Sequence, residues 1–296
     1  MYRTFLKVCA ACMALGVVSD AIGAPQSGST TWGNWSFSWT VGANSEGLEI
    51  KDVRWKNVKV LYKASMPVIR VQYANDACGP YTDHLSWGNM VTTSCQNEKL
   101  CQRVWGNDIL ELGAFSKIGK YEIYQAWYFN SSGRLESALW SRGWHCNVSH
   151  RHHPYWRMDF DVAQIPNRTW RGRTVSGSTE WLQYNKEQNE AVDRAQSPLW
   201  WIQDTSGAHV VIVRPWNTDP TDSFGPFDAS VRRYKYSEDN GWMWSANSQL
   251  GFDEGEALWD QDNVFWWIGH LSHPWTGSDP SGQHWHWVGP TIYTNW

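Results

Sequence analysis

Positive charge is scarce in this chain and does not cluster. Lysine and arginine total 25 against 29 aspartates and glutamates, a formal charge of -4 with a pI near 6.2, so the electrostatic footprint of a nucleic-acid-binding protein is missing. Long hydrophobic runs are missing too: after the N-terminal stretch no segment is long and apolar enough to span a bilayer. No internal repeat or long low-complexity segment is evident. Cysteine is sparse. Of six, Cys9 and Cys12 lie inside the N-terminal apolar run, leaving Cys78, Cys95, Cys101 and Cys146, which permit two disulfides in any of three pairings. The short Cys95 to Cys101 loop is the first pairing expected.

Residues 1–23 read as a secretory signal. Arg3 and Lys7 lead, an apolar run from Val8 to Val18 follows, and Ala21-Ile22-Gly23 offers small residues for cleavage. A secreted or periplasmic protein of about 270 residues is the expectation, a size that one β-sandwich or barrel domain reaches. Residues 24–46 read as an N-terminal leader with a first strand around Trp35 to Thr40, and 47–296 as the main domain.

Tryptophan is what the chain has in excess. Twenty-four of them must fill a thick sandwich core, line a groove, or form a platform that stacks on sugar rings. The pattern around them is of strands. GLEIKDVRWKNVKVLYKASMPVIRVQYAND predicts a meander of three strands ending at Tyr73, broken at Lys56-Asn57 and at Met66-Pro67. Between Gly119 and Phe129 alternation puts Tyr121, Ile123, Gln125, Trp127 and Phe129 on one face, and Asn130 to Gly133 closes a hairpin with RLESALW. EQNEAVDRAQ supports a short helix or an irregular connection, and strands resume at Ala208 to Arg214 and Ser230 to Tyr236. Together these predict an all-β fold, a large two-sheet sandwich.

The densest chemistry is Ser149 to Val162, SHRHHPYWRMDFDV. On a strand, His150 and His152 point to one face and can share one metal ion. Asp159 and Asp161 share the other face, and carboxylates suit a hard cation such as calcium. An H-x-H is also what a solvated edge strand carries, and Pro154, lacking an N–H, belongs at an edge or bulge. Further along, LWDQDNVFWWIGHLSHPW brings Asp262, His270 and His273 into one segment.

The order of these motifs resembles the catalytic domain of the copper amine oxidases over most of the chain, from about Gly47. The segment from Gly47 to Asp76 is similar to that family's opening G-L-x-x-x-D-V-R-Y…V-L-Y-R-A-S run, and Tyr81-Thr82-Asp83 to its Y-F-D. Lys120-Tyr121-Glu122 stands where the family has Asn-Tyr-Asp/Glu. His150, His152, Arg157 and Asp159 match its H-x-H…R-L-D, and Asp262, Val264, Trp266 and His273 its D-x-V-x-W…H-x-P. The resemblance implies a Cu2+ ion on His150, His152 and His273, the last chosen over His270 by its spacing from Asp262. It implies topaquinone formed from Tyr121, Asp83 as catalytic base, Tyr73 as hydrogen-bond partner of the quinone and Tyr81 at the entrance. A second, calcium-like site falls to Asp159, Asp161 and Asp262. Oxidative deamination of a primary amine by dioxygen, giving aldehyde, ammonia and hydrogen peroxide, is the implied activity, and a homodimer the implied assembly. Lys120 departs from the family's asparagine, Pro274 follows His273 one residue early, and the connections between Asp83, Tyr121 and His150 are short. Two other readings fit the same residues: a copper-binding protein of this fold without the quinone, and a Trp-rich carbohydrate-binding sandwich.

Overall fold

The computed structural model describes residues 25–43, 46–75, 78–91, 99–236, 255–275 and 282–296. The chain passes back and forth between two antiparallel sheets. It starts in the first with β1 (Gln26–Trp32), β2 (Trp35–Val41), β3 (Leu48–Trp55), β4 (Val58–Tyr73) and β5 (Tyr81–Asp83). The second sheet then receives β6 (Met90–Val91), β7 (Leu100–Trp105), β8 (Ile109–Ile118), β9 (Tyr121–Asn130) and β10 (Arg134–Arg142). β11 (His150–Asp159) returns to the first sheet, β12 (Asn167–Val175) and β13 (Ser178–Gln183) to the second, and β14 (Gln188–Glu190) to the first. After β15 (Leu199–Asp204) and β16 (Val210–Asn217) in the second come β17 (Ala229–Arg233), β18 (Asn263–Ile268) and β19 (Leu271–His273) in the first, and β20 (His286–Thr294) in the second.

The first sheet runs β1-β2-β3-β4-β11-β18-β17-β14, with β5 on β4 and β19 on β11; the second runs β13-β12-β15-β16-β20-β10-β9-β8-β6, with β7 on β8. This is the expected all-β, two-sheet sandwich. Inward-facing residues of both sheets fill its centre, among them the fully buried Trp35, Trp127, Trp156, Trp200 and Trp267. A buried indole N–H needs an acceptor. Trp35 donates to the Asn130 carbonyl, Trp127 to the Leu48 carbonyl and Trp156 to Ser137 Oγ, each bond crossing between sheets.

Three expectations change. The meander has two strands where three were predicted, because β4 continues through Met66-Pro67. The register of β4 on β11 slips there, from Val68 opposite Tyr155 to Ser65 opposite Arg157, and a bulge leaves the missing proline N–H without a ladder partner to lose. In the EQNEAVDRAQ stretch, Gln188–Glu190 pairs with β17, and only Arg194–Gln196 turns, as a single 3-10 turn. Finally β11 is no edge strand. It lies between β4 on one side and β18 with β19 on the other. Pro154 sits at the seam between those two partners, where its carbonyl accepts from Gly269 N–H.

Candidate metal centre

β11 carries His150 and His152 on its inner face, both buried. Its neighbours supply the rest: Tyr73 of β4 and His273 of β19 are the Cα partners of His150 on either side. Tyr121, the first residue of β9, reaches across from the opposite sheet, its ring centroid 5.2 Å from that of His150 and 5.1 Å from that of His152. One cross-strand row of Tyr73, His150 and His273, together with His152 from the next row on the same face and Tyr121 of the other sheet, therefore builds the centre.

The three imidazoles converge. His150 Nε2 lies 3.1 Å from His152 Nε2 and 3.1 Å from His273 Nδ1, and one ligand atom from each of the three falls within 4.8 Å of the others. The outer nitrogens fix the tautomers. His150 Nδ1 is 3.3 Å from the Val148 carbonyl and His273 Nε2 is 3.1 Å from the Ser141 carbonyl; a carbonyl only accepts, so both of those nitrogens carry the hydrogen. The facing nitrogens, His150 Nε2 and His273 Nδ1, are then both lone pairs, an arrangement that a cation between them stabilises. Burial pushes the His150 imidazolium down to about 4 and that of His152 well below its ordinary value, which keeps the rings neutral, the form that binds metal. This donor set fits copper or zinc. His286, on β20 directly opposite Ser141, packs its ring 4.2 Å from that of His273.

His270 belongs elsewhere. It faces the other side of the sheet, with Nδ1 2.9 Å from Nδ1 of His153, and the outer nitrogens of the pair lie 3.5 Å from Asp228 and Asp222.

Beside the imidazoles, Tyr121 Oη and Tyr73 Oη are 2.7 Å apart, and the backbone of His145 bonds to Tyr121 as well. Burial raises both phenols, Tyr73 to about 12 and Tyr121 beyond the range of an ordinary tyrosine. β5 pairs with β4 through Ile69 opposite Asp83 and Val71 opposite Tyr81. That brings the Asp83 carboxylate close enough to act on the charge of both phenols. Burial pushes the Asp83 carboxyl up. Tyr81 is 42% exposed and meets the Tyr73 ring edge-on at 5.8 Å. His145, which belongs to none of the sequence motifs, has its ring against both tyrosines.

A disulfide between Cys78 and Cys146 joins the segment before Tyr81 to the one before His150. Cys101 is also disulfide-bonded; its expected partner, Cys95, lies outside the described residues. Lys120 is exposed, unlike Tyr121 beside it, which is buried.

Asp159, Asp161 and Asp262 also come together, one oxygen from each within 4.8 Å of the others. Lys59 Nζ stands 3.3 Å from Asp161 Oδ2, so a cationic side chain already faces one member of that group.

No protein-family profile matches the chain, and no curated protein matches it by sequence. Solved structures do. A copper-containing benzylamine oxidase from Hansenula polymorpha superposes with a TM-score of 0.73 at 14% identity, over 99% of this chain and 63% of that one. An amine oxidase from Aspergillus nidulans gives 0.70 at 14%, over 99% and 55%, and the lysyl oxidase of Pichia pastoris 0.63 at 14%, over 90% and 51%. This chain spans less than two thirds of the length of each. At such identities the likeness is one of fold, and the fold of this chain is that of the amine oxidases it superposes on.

Proposed function

We propose that the protein is an exported, copper- and quinone-dependent oxidase of primary amines, acting as a homodimer. One observation carries the reading: two imidazole lone pairs, set by carbonyls behind them, face each other beside a buried tyrosine. His150, His152 and His273 would hold the copper, which with dioxygen supplies oxidation of the Tyr121 ring to topaquinone, the carbonyl that takes up the amine. The chain's own residues do the rest. Tyr73 holds the Tyr121 oxygen by its hydroxyl. Asp83 accepts the proton from the α-carbon, and its partly buried carboxylate, raised above the ordinary aspartate range, is the stronger base for it. Tyr81, half in solvent, borders the entrance. Asp159, Asp161 and Asp262 serve as a structural calcium site away from the reaction. Export rests on the N-terminal signal pattern and fits the disulfide.

The spectrum of protein made without copper tests this. Aerobic copper should develop a visible quinone band that phenylhydrazine shifts, and Tyr121→Phe should bind copper with no band. A wild type that takes copper and stays colourless would leave the copper-binding reading in its place.

A further inference from the structure

Tryptophan is in larger supply than the core uses. At one end of the second sheet the outward face carries rings as well. β13, β12, β15 and β16 lie side by side there, with β13 at the edge, and Cα partners across an antiparallel sheet share a face. Gln183, Trp170, Trp201, Ile212 and Tyr293 form one row across β13, β12, β15, β16 and β20. In the next row Trp181 stands opposite Gly172. The residues that alternate with these, such as Trp200, Ile202 and Val211, are buried in the core, so both rows point away from it.

The rings are presented to solvent. Trp181 is 47% exposed and Tyr293 39%. A Cβ at Gly172 would come within 2.9 Å of the Trp181 ring; the missing side chain lets that indole lie down on the sheet, where it meets the Trp201 ring at 5.1 Å and 84°. An outward face of a sandwich is ordinarily polar. Here the polar groups among the rings are uncharged amides, Gln183 and Gln203, the latter accepting from Trp201 Nε1 at 2.8 Å. Charge stands at the rim, on Arg214, on Arg134, which is opposite Tyr293 and paired with Glu136 at 3.1 Å, and on Arg168, bound by Asp260 at 2.8 Å.

Flat rings interleaved with uncharged hydrogen-bonding groups match a ligand with apolar C–H faces, a periphery of hydroxyls and no charge. We propose that this face binds a neutral polysaccharide chain, with Trp181 and Trp201 as the stacking rings. The uncharged centre selects against nucleic acid and acidic glycans. From Trp170 to Tyr293 is three strand spacings, about 14 Å, room for more than one sugar ring. The site is remote in sequence from the three imidazoles, and its test does not depend on their chemistry.

The experiment is affinity electrophoresis of the intact protein through gels containing hydroxyethylcellulose, xylan, glucomannan or β-1,3-glucan, with polygalacturonate as the acidic control and size-exclusion chromatography alongside. At least one neutral polymer should retard the wild type, with and without chelator. Trp181→Ala should weaken that retardation roughly tenfold or more, the loss of one stacking contact, while Trp181→Phe retains most of it and both variants melt like wild type. Retardation by no neutral polymer, retardation by polygalacturonate alone, or retention unchanged in Trp181→Ala would overturn the proposal. So would a dimer that Trp181→Ala converts to monomer, since the face would then be a contact between copies.

Discussion

His150 and His273 face each other as Cα partners on adjacent strands, and the ring nitrogens that meet, 3.1 Å apart, both lack a hydrogen because each ring donates its own to a carbonyl on the far side. Register thus does what sequence spacing only suggests. His273→Ala should lose stoichiometric copper by metal analysis, and His270→Ala should keep it. The reverse result would move the third ligand to the other face of the sheet, where His270 meets His153.

Without metal, the buried imidazoles make stability depend on pH. Burial holds His150 near 4 in the folded protein against 6.5 for an exposed ring, so between those values the unfolded chain binds the extra proton. Stability is then full above about 6.5 and falls as pH drops towards 4, by an order of 3 kcal/mol from this residue. Thermal melts of metal-free protein at pH 7.5, 5.5 and 4.5 should show the decline, and His150→Phe should make it shallower, the buried His152 keeping its own share. A wild-type profile level across that range would contradict the assignment.

Calcium has a competitor. Lys59 faces Asp161 at 3.3 Å, so removing its charge with Lys59→Met should tighten calcium binding. In the wild type calcium should raise the melting temperature without altering turnover. A double Asp159→Asn, Asp161→Asn variant should not respond, and one that does would remove these carboxylates from the site.

Asp83 is held above the ordinary aspartate range by burial. A base must be ionised to work, so kcat/KM should rise with pH through that raised value rather than through an ordinary one. Asp83→Asn should keep the quinone and lose about 10²–10⁴-fold in turnover. Stopped-flow reduction of the quinone by benzylamine is the direct measurement; a variant reduced at the wild-type rate would exclude Asp83 as the base.

How far the sequence could be read follows from the range of the interactions. Alternation along β9 and β11 is local, and it puts Tyr121 on one face with Trp127 and Phe129, and His150 on one face with His152; that both faces turn inward comes from the pairing of the sheets. Turn chemistry at Lys56-Asn57 and Asn130 to Gly133 is local too. Pro67 misled because a proline interrupts an isolated strand but sits unopposed in a bulge, and the bulge exists only through the pairing of β4 with β11. The His153 to His270 contact and the ring of His145 against Tyr73 and Tyr81 join residues far apart in the chain. No spacing rule reports on such pairs. The choice of His273 over His270 came from resemblance, and what underlies it is the seam at Pro154, which lets Gly269 and His270 bend so that β19 re-pairs with His150.

Lys120 bears on whether Tyr121 can be processed at all. It precedes Tyr121 where the resembling family has asparagine, yet its side chain is exposed. What fixes the backbone there is Gly143: it has φ 113, and a Cβ on it would fall 2.4 Å from the Lys120 carbonyl oxygen. Main-chain packing of Gly143 against Lys120 and Tyr121 thus constrains how Tyr121 enters the centre, while Lys120 itself is exposed. Wild type should accordingly develop its quinone band on aerobic copper addition, and Lys120→Asn should change the rate of that development only modestly. Gly143→Ala, by contrast, should shift Tyr121 and slow or abolish the band with copper still bound. A colourless wild type that gains colour in Lys120→Asn would show that the lysine blocks processing. Absence of colour in both, with one copper per chain, would remove the oxidase reading, because every remaining residue the chemistry needs would be in place and the tyrosine still unreacted.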